Sequence, residues 1–173
     1  MSNAALIVID VQQGLFNKTT QVFKGQELIQ TINSLIEKFR DKRRPIIFIR
    51  HTNKSILKEN STEWQIHSEL DSRDSDVKIN KTKSNVFDED LLPNFLKQNN
   101  ISTIVITGLV THGCVKAACL GGIKFCNEVV LVENGHSSFN KKAEDLINEW
   151  NKKLEDEGIQ VISSNKINIE CMR

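Results

Sequence analysis

Residues 103–125 read TIVITGLVTHGCVKAACLGGIKF. The first six, Thr103–Gly108, are an apolar, β-branched run of the kind that forms a strand buried on both faces. The stretch from Val110 to Phe125 then has helical character, so the whole reads as strand, glycine-bearing turn, helix. The same alternation extends in both directions. AALIVID (Ala4 to Asp10) is a continuous apolar run, and QELIQTINSLIEKFRDK places Leu28, Ile32, Leu35, Ile36 and Phe39 at helical spacing. IIFIR after Pro45 reads as strand two and VKI (Val77 to Ile79) as a short strand three. DEDLLPNFLKQNN reads as a helix with Pro93 near its start. EVVLVEN is strand five, KKAEDLINEWNKKLEDEG a helix closed by Gly158, and IQVISS strand six. Repeated β-α units imply a mostly parallel sheet with helices on both faces. The expected fold is therefore α/β: a three-layer α-β-α, six-stranded Rossmann-like sheet in the order 3-2-1-4-5-6. No repeat or linker divides the chain, so residues 1–173 are expected to form a single domain.

Composition excludes some functions and leaves others open. Lys and Arg total 23 against 22 Asp and Glu, a net charge of +1. Such a balance gives no field to draw nucleic acid or a membrane surface. The basic run KFRDKRRP lies at a helix end, where cations complement the macrodipole. No apolar stretch has transmembrane length, and ALIVI is too short for a signal-peptide core. A cytoplasmic location with reduced thiols is the expectation.

Ligands of open α/β sheets bind beyond the carboxyl ends of the strands. In the order 3-2-1-4-5-6, strands one and four flank the switch point, which brings Asp10 near the turn before Cys114. Asp10 reads either as a site residue or as a cap of the turn that follows it. Cys114, at a strand-to-helix turn, reads as a nucleophile whose thiolate the helix N-terminus favours, or as a buried structural thiol. Cys119 and Cys126 fall in or just past an apolar helix and read as structural. No C-x-x-C or H-E-x-x-H spacing occurs, and Cys114 and Cys119 face different sides of a helix, so no metal is expected. His51, after strand two, remains open between ligand, substrate contact and pocket wall. No phosphate-binding glycine motif and no G-x-S-x-G elbow is present. The irregular stretch from His51 to Asp76 is long enough to be a lid or pocket wall.

ALIVIDVQQGLF, INKTKSNVF and TGLVTHGCVKAACLGG, in that order, resemble the isochorismatase-like cysteine hydrolases. That superfamily includes nicotinamidases and N-carbamoylsarcosine amidohydrolases. STEWQIHSEL is similar to the family's loop between strands two and three, and VENGHSSF to its segment after strand five. The resemblance implies an Asp-Lys-Cys triad of Asp10, Lys81 and Cys114. Lys81 rather than Lys83 matches, because it stands six residues before Phe87 as in the pattern K-x-x-x-[SN]-x-F. It also implies a cis peptide at Leu109–Val110, with the N–H groups of Val110 and Cys114 forming an oxyanion hole. Phe16, Trp64 and Phe87 would line the pocket by motif position, with core packing as the alternative for each. His51 and His112 would contact substrate.

The implied activity is cleavage of a small amide-type C–N bond through a Cys114 thioester, without a cofactor, on a small-molecule substrate. Two other readings stay open: an isochorismatase-type hydrolase of a non-amide substrate, and a non-catalytic binding or redox-sensing protein that uses Cys114. Nicotinamidases carry a metal site of Asp and His residues near strand two. FIRHTN offers His51 without an Asp-x-His pair, so neither that metal nor nicotinamide is expected here. The family's Asp-Ala after strand five is Asn134–Gly135 in this chain. Relatives are commonly dimers or tetramers, so a homo-oligomer is expected.

Overall fold

A computed structural model describes residues 3–172. Six strands, β1 (Ala4–Ile9), β2 (Ile46–His51), β3 (Val77–Lys81), β4 (Thr103–Leu109), β5 (Glu128–Ser137) and β6 (Gln160–Ile162), form one sheet in the order β3-β2-β1-β4-β5-β6. Every pairing is parallel, so all six carboxyl ends lie along the same sheet edge. Five helices connect them: α1 (Gln13–Phe16), α2 (Gly25–Asp41), α3 (Leu91–Gln98), α4 (Lys116–Gly122) and α5 (Ala143–Asp156).

The side-chain alternation of β1 divides the core. Ala4, Leu6 and Val8 pack with the α2 stripe of Leu28, Ile32, Leu35, Ile36 and Phe39. Ala5, Ile7 and Ile9 pack on the other face with Leu92 and Leu96 of α3, Cys119 of α4 and Leu154 of α5. Because β1 is central and covered on both sides, its run is continuously apolar. Cys119 and Cys126 are buried in the second cluster. Among the described residues no helix is long and apolar enough to cross a membrane.

Of the boundaries that differ from the sequence expectation, three bear on the site. β3 runs two residues further, to Lys81, and β5 extends to Ser137. The helix after β4 begins at Lys116, not Val110. A wide π-type turn, Thr111–Val115, precedes it, with Gly113 outside helical geometry (φ −115°, ψ −111°). Cys114 therefore sits within a kinked turn. At Gly108 (φ +118°) β4 touches β1: a Cβ there would lie 2.1 Å from the Ile9 carbonyl oxygen. Only glycine permits that approach, one residue before Asp10.

Candidate active site

Four strand ends supply the site. Asp10 follows β1 with a left-handed backbone (φ +52°) and is 3% exposed. His51 and Lys81 end β2 and β3 and are register partners across the two strands. Cys114 follows β4. The peptide bond Leu109–Val110 is cis, at the place the resemblance implied.

Lys81 is 1% exposed. Burying an ammonium is unfavourable unless its hydrogens are satisfied. Here Nζ lies 3.0 Å from Asp10 Oδ2, 3.1 Å from His51 Nδ1, 3.1 Å from the Lys83 carbonyl and 3.2 Å from Cys114 Sγ. An ammonium only donates, so Nδ1 of neutral His51 accepts and Nε2 carries the ring hydrogen. Asp10 Oδ1 is buried and has no hydrogen-bond partner among the described residues. Donor atoms of Asp10, His51 and Cys114 all lie within 4.8 Å of one another.

The electrostatics give the resting protonation state. Burial raises the Asp10 carboxyl, and Lys81 opposes that rise. Burial and then the Asp10 charge push the Cys114 thiol up to about 11, against Lys81. The thiolate expected from a helix N-terminus is therefore not the resting form near neutral pH. The arrangement is a protonated thiol beside a buried carboxyl group. Burial and Lys81 together lower His51, which keeps its ring neutral near pH 7.

The other sequence candidates are distributed around this centre. Trp64 is buried, its Nε1 donates to Thr52 Oγ1 at 2.9 Å, and the Arg50 guanidinium lies 3.7 Å over its ring. Phe16 is half-buried against His67, with ring centroids 4.3 Å apart. Phe87 is buried in the core cluster against which Cys114 packs and stacks on Phe125 at 5.3 Å. His112 lies in the π-type turn, and its buried Nδ1 has no hydrogen-bond partner among the described residues. Gly113 N–H donates to the Val110 carbonyl at 2.9 Å, closing the turn that carries both Val110 and Cys114.

Two positioning residues escaped the sequence reading. Gln12 is wholly buried. Its amide accepts from His51 N–H (2.8 Å) and donates to the His51 (3.0 Å) and Trp64 (2.8 Å) carbonyls. Backbone bonds from Gln13 to Gln65, Gly14 to Glu63 and His67 to Val11 fasten the long loop alongside. Glu89 accepts from Thr82 N–H (2.8 Å), Thr82 Oγ1 (3.0 Å) and Lys83 N–H (3.1 Å), holding the segment after Lys81. A polar residue just past a strand, as Gln12 is, was the available signal. Glu89 had none beyond its place in an acidic helix start. A cleft of about 290 Å³ lined by Glu27, Glu133, Asn148 and Asn151 includes none of Asp10, Lys81 and Cys114.

Comparison with known proteins agrees with this geometry. Residues 4–166 match the family model described as the isochorismatase domain. The chain belongs to the isochorismatase family. Members of that family are hydrolases. The isochorismatase family protein YrdC of Bacillus subtilis (strain 168) is 33% identical over 114 residues, 64% of this chain and 61% of that protein. A crystal structure of an isochorismatase family protein superimposes with a TM-score of 0.86 at 25% identity, covering 94% of this chain and 99% of that one. A Pyrococcus horikoshii pyrazinamidase in complex with zinc gives 0.81 at 22% identity, covering 93% and 99%.

A resident zinc does not fit the residues as they stand here. Among the described residues the group that could converge on a metal is Asp10, His51 and Cys114. The Lys81 ammonium already contacts all three.

Proposed function

We propose that this protein is a cysteine hydrolase that cleaves a small amide-type C–N bond, with Asp10, Lys81 and Cys114 as its triad and no metal. The observation that carries this reading is the buried Lys81 ammonium, 3.0 Å from Asp10 and 3.2 Å from Cys114. It opposes the rise that burial imposes on the Asp10 carboxyl and offers a cation to the sulfur as the thiol ionises.

Asp10 takes the Cys114 thiol proton as sulfur attacks the carbonyl carbon. The N–H groups of Val110 and Cys114 stabilise the tetrahedral oxyanion. Asp10 returns the proton to the departing amine, leaving a thioester. Water then gives a proton to Asp10 and attacks; the carboxylic acid leaves and Cys114 regains its proton. His51 and His112 would contact the substrate, and Phe16, Trp64 and Phe87 would shape its pocket. Cys119 supports no sensor role: it is 0% exposed in apolar surroundings, without access to an oxidant. Four free cysteines favour a cytoplasmic location. We place residues 1–173 in a single domain that acts as a homo-oligomer.

The test is ammonia or amine release from a panel of small amides, ureas and carbamoyl compounds, with intact-mass trapping of an acyl adduct. Wild type should turn over at least one class and carry the adduct on Cys114. Turnover undiminished in Cys114→Ser would refute the proposal, as would no turnover of any class.

A further inference from the structure

The groups gathered around Lys81 have a second chemical property that is independent of any reaction. Carboxylate oxygen, imidazole nitrogen and thiol sulfur are three ligand types that transition metals take together. Asp10, His51 and Cys114 bring one of each within 4.8 Å. Donors about 2.0–2.3 Å from a tetrahedral ion stand roughly 3.4–3.7 Å apart, so a contraction of about 1 Å would close the set. Asp10 Oδ1 is buried and has no hydrogen-bond partner among the described residues. His51 Nδ1 already presents a lone pair to a cation. His51 and Cys114 are only half-buried, which leaves room for water as a fourth ligand.

The cation now facing these atoms is Lys81. Its Nζ lies 3.0–3.2 Å from one atom of each residue. It excludes a metal by volume and by like charge. We propose that Asp10, His51 and Cys114 form a latent transition-metal site that the Lys81 ammonium keeps closed. The lysine then has a role beyond assisting the thiol: it keeps the nucleophile free of zinc. When a divalent ion enters a site lacking the lysine, the Cys114 thiol gives its proton to solvent. Two anionic ligands then neutralise the ion.

The test uses the full chain and Co²⁺ as the probe. Lys81→Met should bind Co²⁺ at one equivalent. It should show sulfur-to-cobalt charge transfer and the visible bands of a tetrahedral ion, both absent from wild type. Lys81→Met/Cys114→Ser should lose the charge-transfer band. Lys81→Met/His51→Gln should bind at least about tenfold more weakly, the least expected when outer-shell partners of a metal are lost. The proposal is overturned by no band in Lys81→Met, by an equal band in wild type, or by a band that survives loss of Cys114. If Lys81→Met folds poorly, the readout becomes thermal unfolding with and without Co²⁺. A rise in Tm that requires Cys114 supports the site, and no rise overturns it.

Discussion

Replacing the Asp10 carboxylate by an amide separates two effects that the wild-type site combines. In the proposed reaction Asp10 is the base for the Cys114 proton, yet its charge also helps push the thiol up to about 11. Asp10→Asn removes that charge and leaves the Lys81 ammonium 3.2 Å from Sγ. The thiol pKa should fall, and iodoacetamide should alkylate Cys114 severalfold faster near neutral pH. The gain is about tenfold in thiolate per unit of fall, less the drop in intrinsic nucleophilicity. Turnover should nevertheless drop by about 10²–10⁴, because the leaving amine loses its proton donor. Alkylation that is unchanged or slower in Asp10→Asn would show that the carboxylate does not oppose the thiolate. The linked stability follows the same sign. A thiol raised from 9.0 to about 11 favours the folded state fully below pH 9, and that contribution is lost as pH rises through 11. Asp10 and Cys114 were legible as candidates because each follows a strand whose carboxyl end faces the switch point, whereas Lys81 entered only through the family resemblance, since strand three was expected to stop at Ile79. Gln12 was not legible: its partners are backbone atoms of His51 and Trp64, and such partnerships leave no periodicity to read.

The element that carries Lys81 is short, and its end is held by hydrogen bonds from outside it. Only five residues make β3, and the chain turns immediately after Lys81. Glu89 returns from the following segment to gather Thr82 and Lys83. Partial burial pushes its carboxyl up, but the Thr82 and Lys83 N–H donors outweigh that and hold it below the usual glutamate range. Glu89→Ala should cost about 1–2 kcal/mol in urea unfolding, since Glu89 is half-buried and water replaces part of what is lost. The stabilisation from Glu89 is present above the ordinary glutamate pKa and is lost as pH falls through the lowered one. Wild type and variant should therefore converge in strong acid. A stability difference that persists there would mean that Glu89 acts through packing. Strand and helix types were legible from apolar runs and periodicity except for the short α1, and the start of α4 was not legible. Thr111–Val115 holds weak helix formers throughout, but that alone does not say where a helix begins, and the conformation of Gly113 shows that the chain departs from helical geometry first.

At the scale of the whole molecule, the strand order places four residues, from Asp10 to Cys114 in sequence, at one sheet edge. That edge was legible because a parallel sheet puts every carboxyl end on the same side. What the molecule does with its outer surface was not legible, since exposure depends on which helices cover which. The helix α4 and the segment after it leave Leu120 (36%), Ile123 (44%) and Phe125 (50%) exposed, close together in sequence. Phe125 extends the apolar surface to Phe87. The segment containing Phe87 leads into α3, whose first residue, Leu91, is 59% exposed. A concentration of large apolar side chains on one part of a surface marks an interaction site, whereas single exposed residues need no explanation. The homo-oligomer expected from the sequence resemblance would supply a second copy of this chain as the partner, and a symmetric pair would bury the patch against itself. Light scattering should then give at least a dimer for wild type. Ile123→Lys/Phe125→Lys should shift the mass to the monomer with the far-ultraviolet circular dichroism unchanged, because both side chains lie outside the two core clusters. A monomeric wild type, or a double variant that keeps the wild-type mass, would remove α4 from any interface.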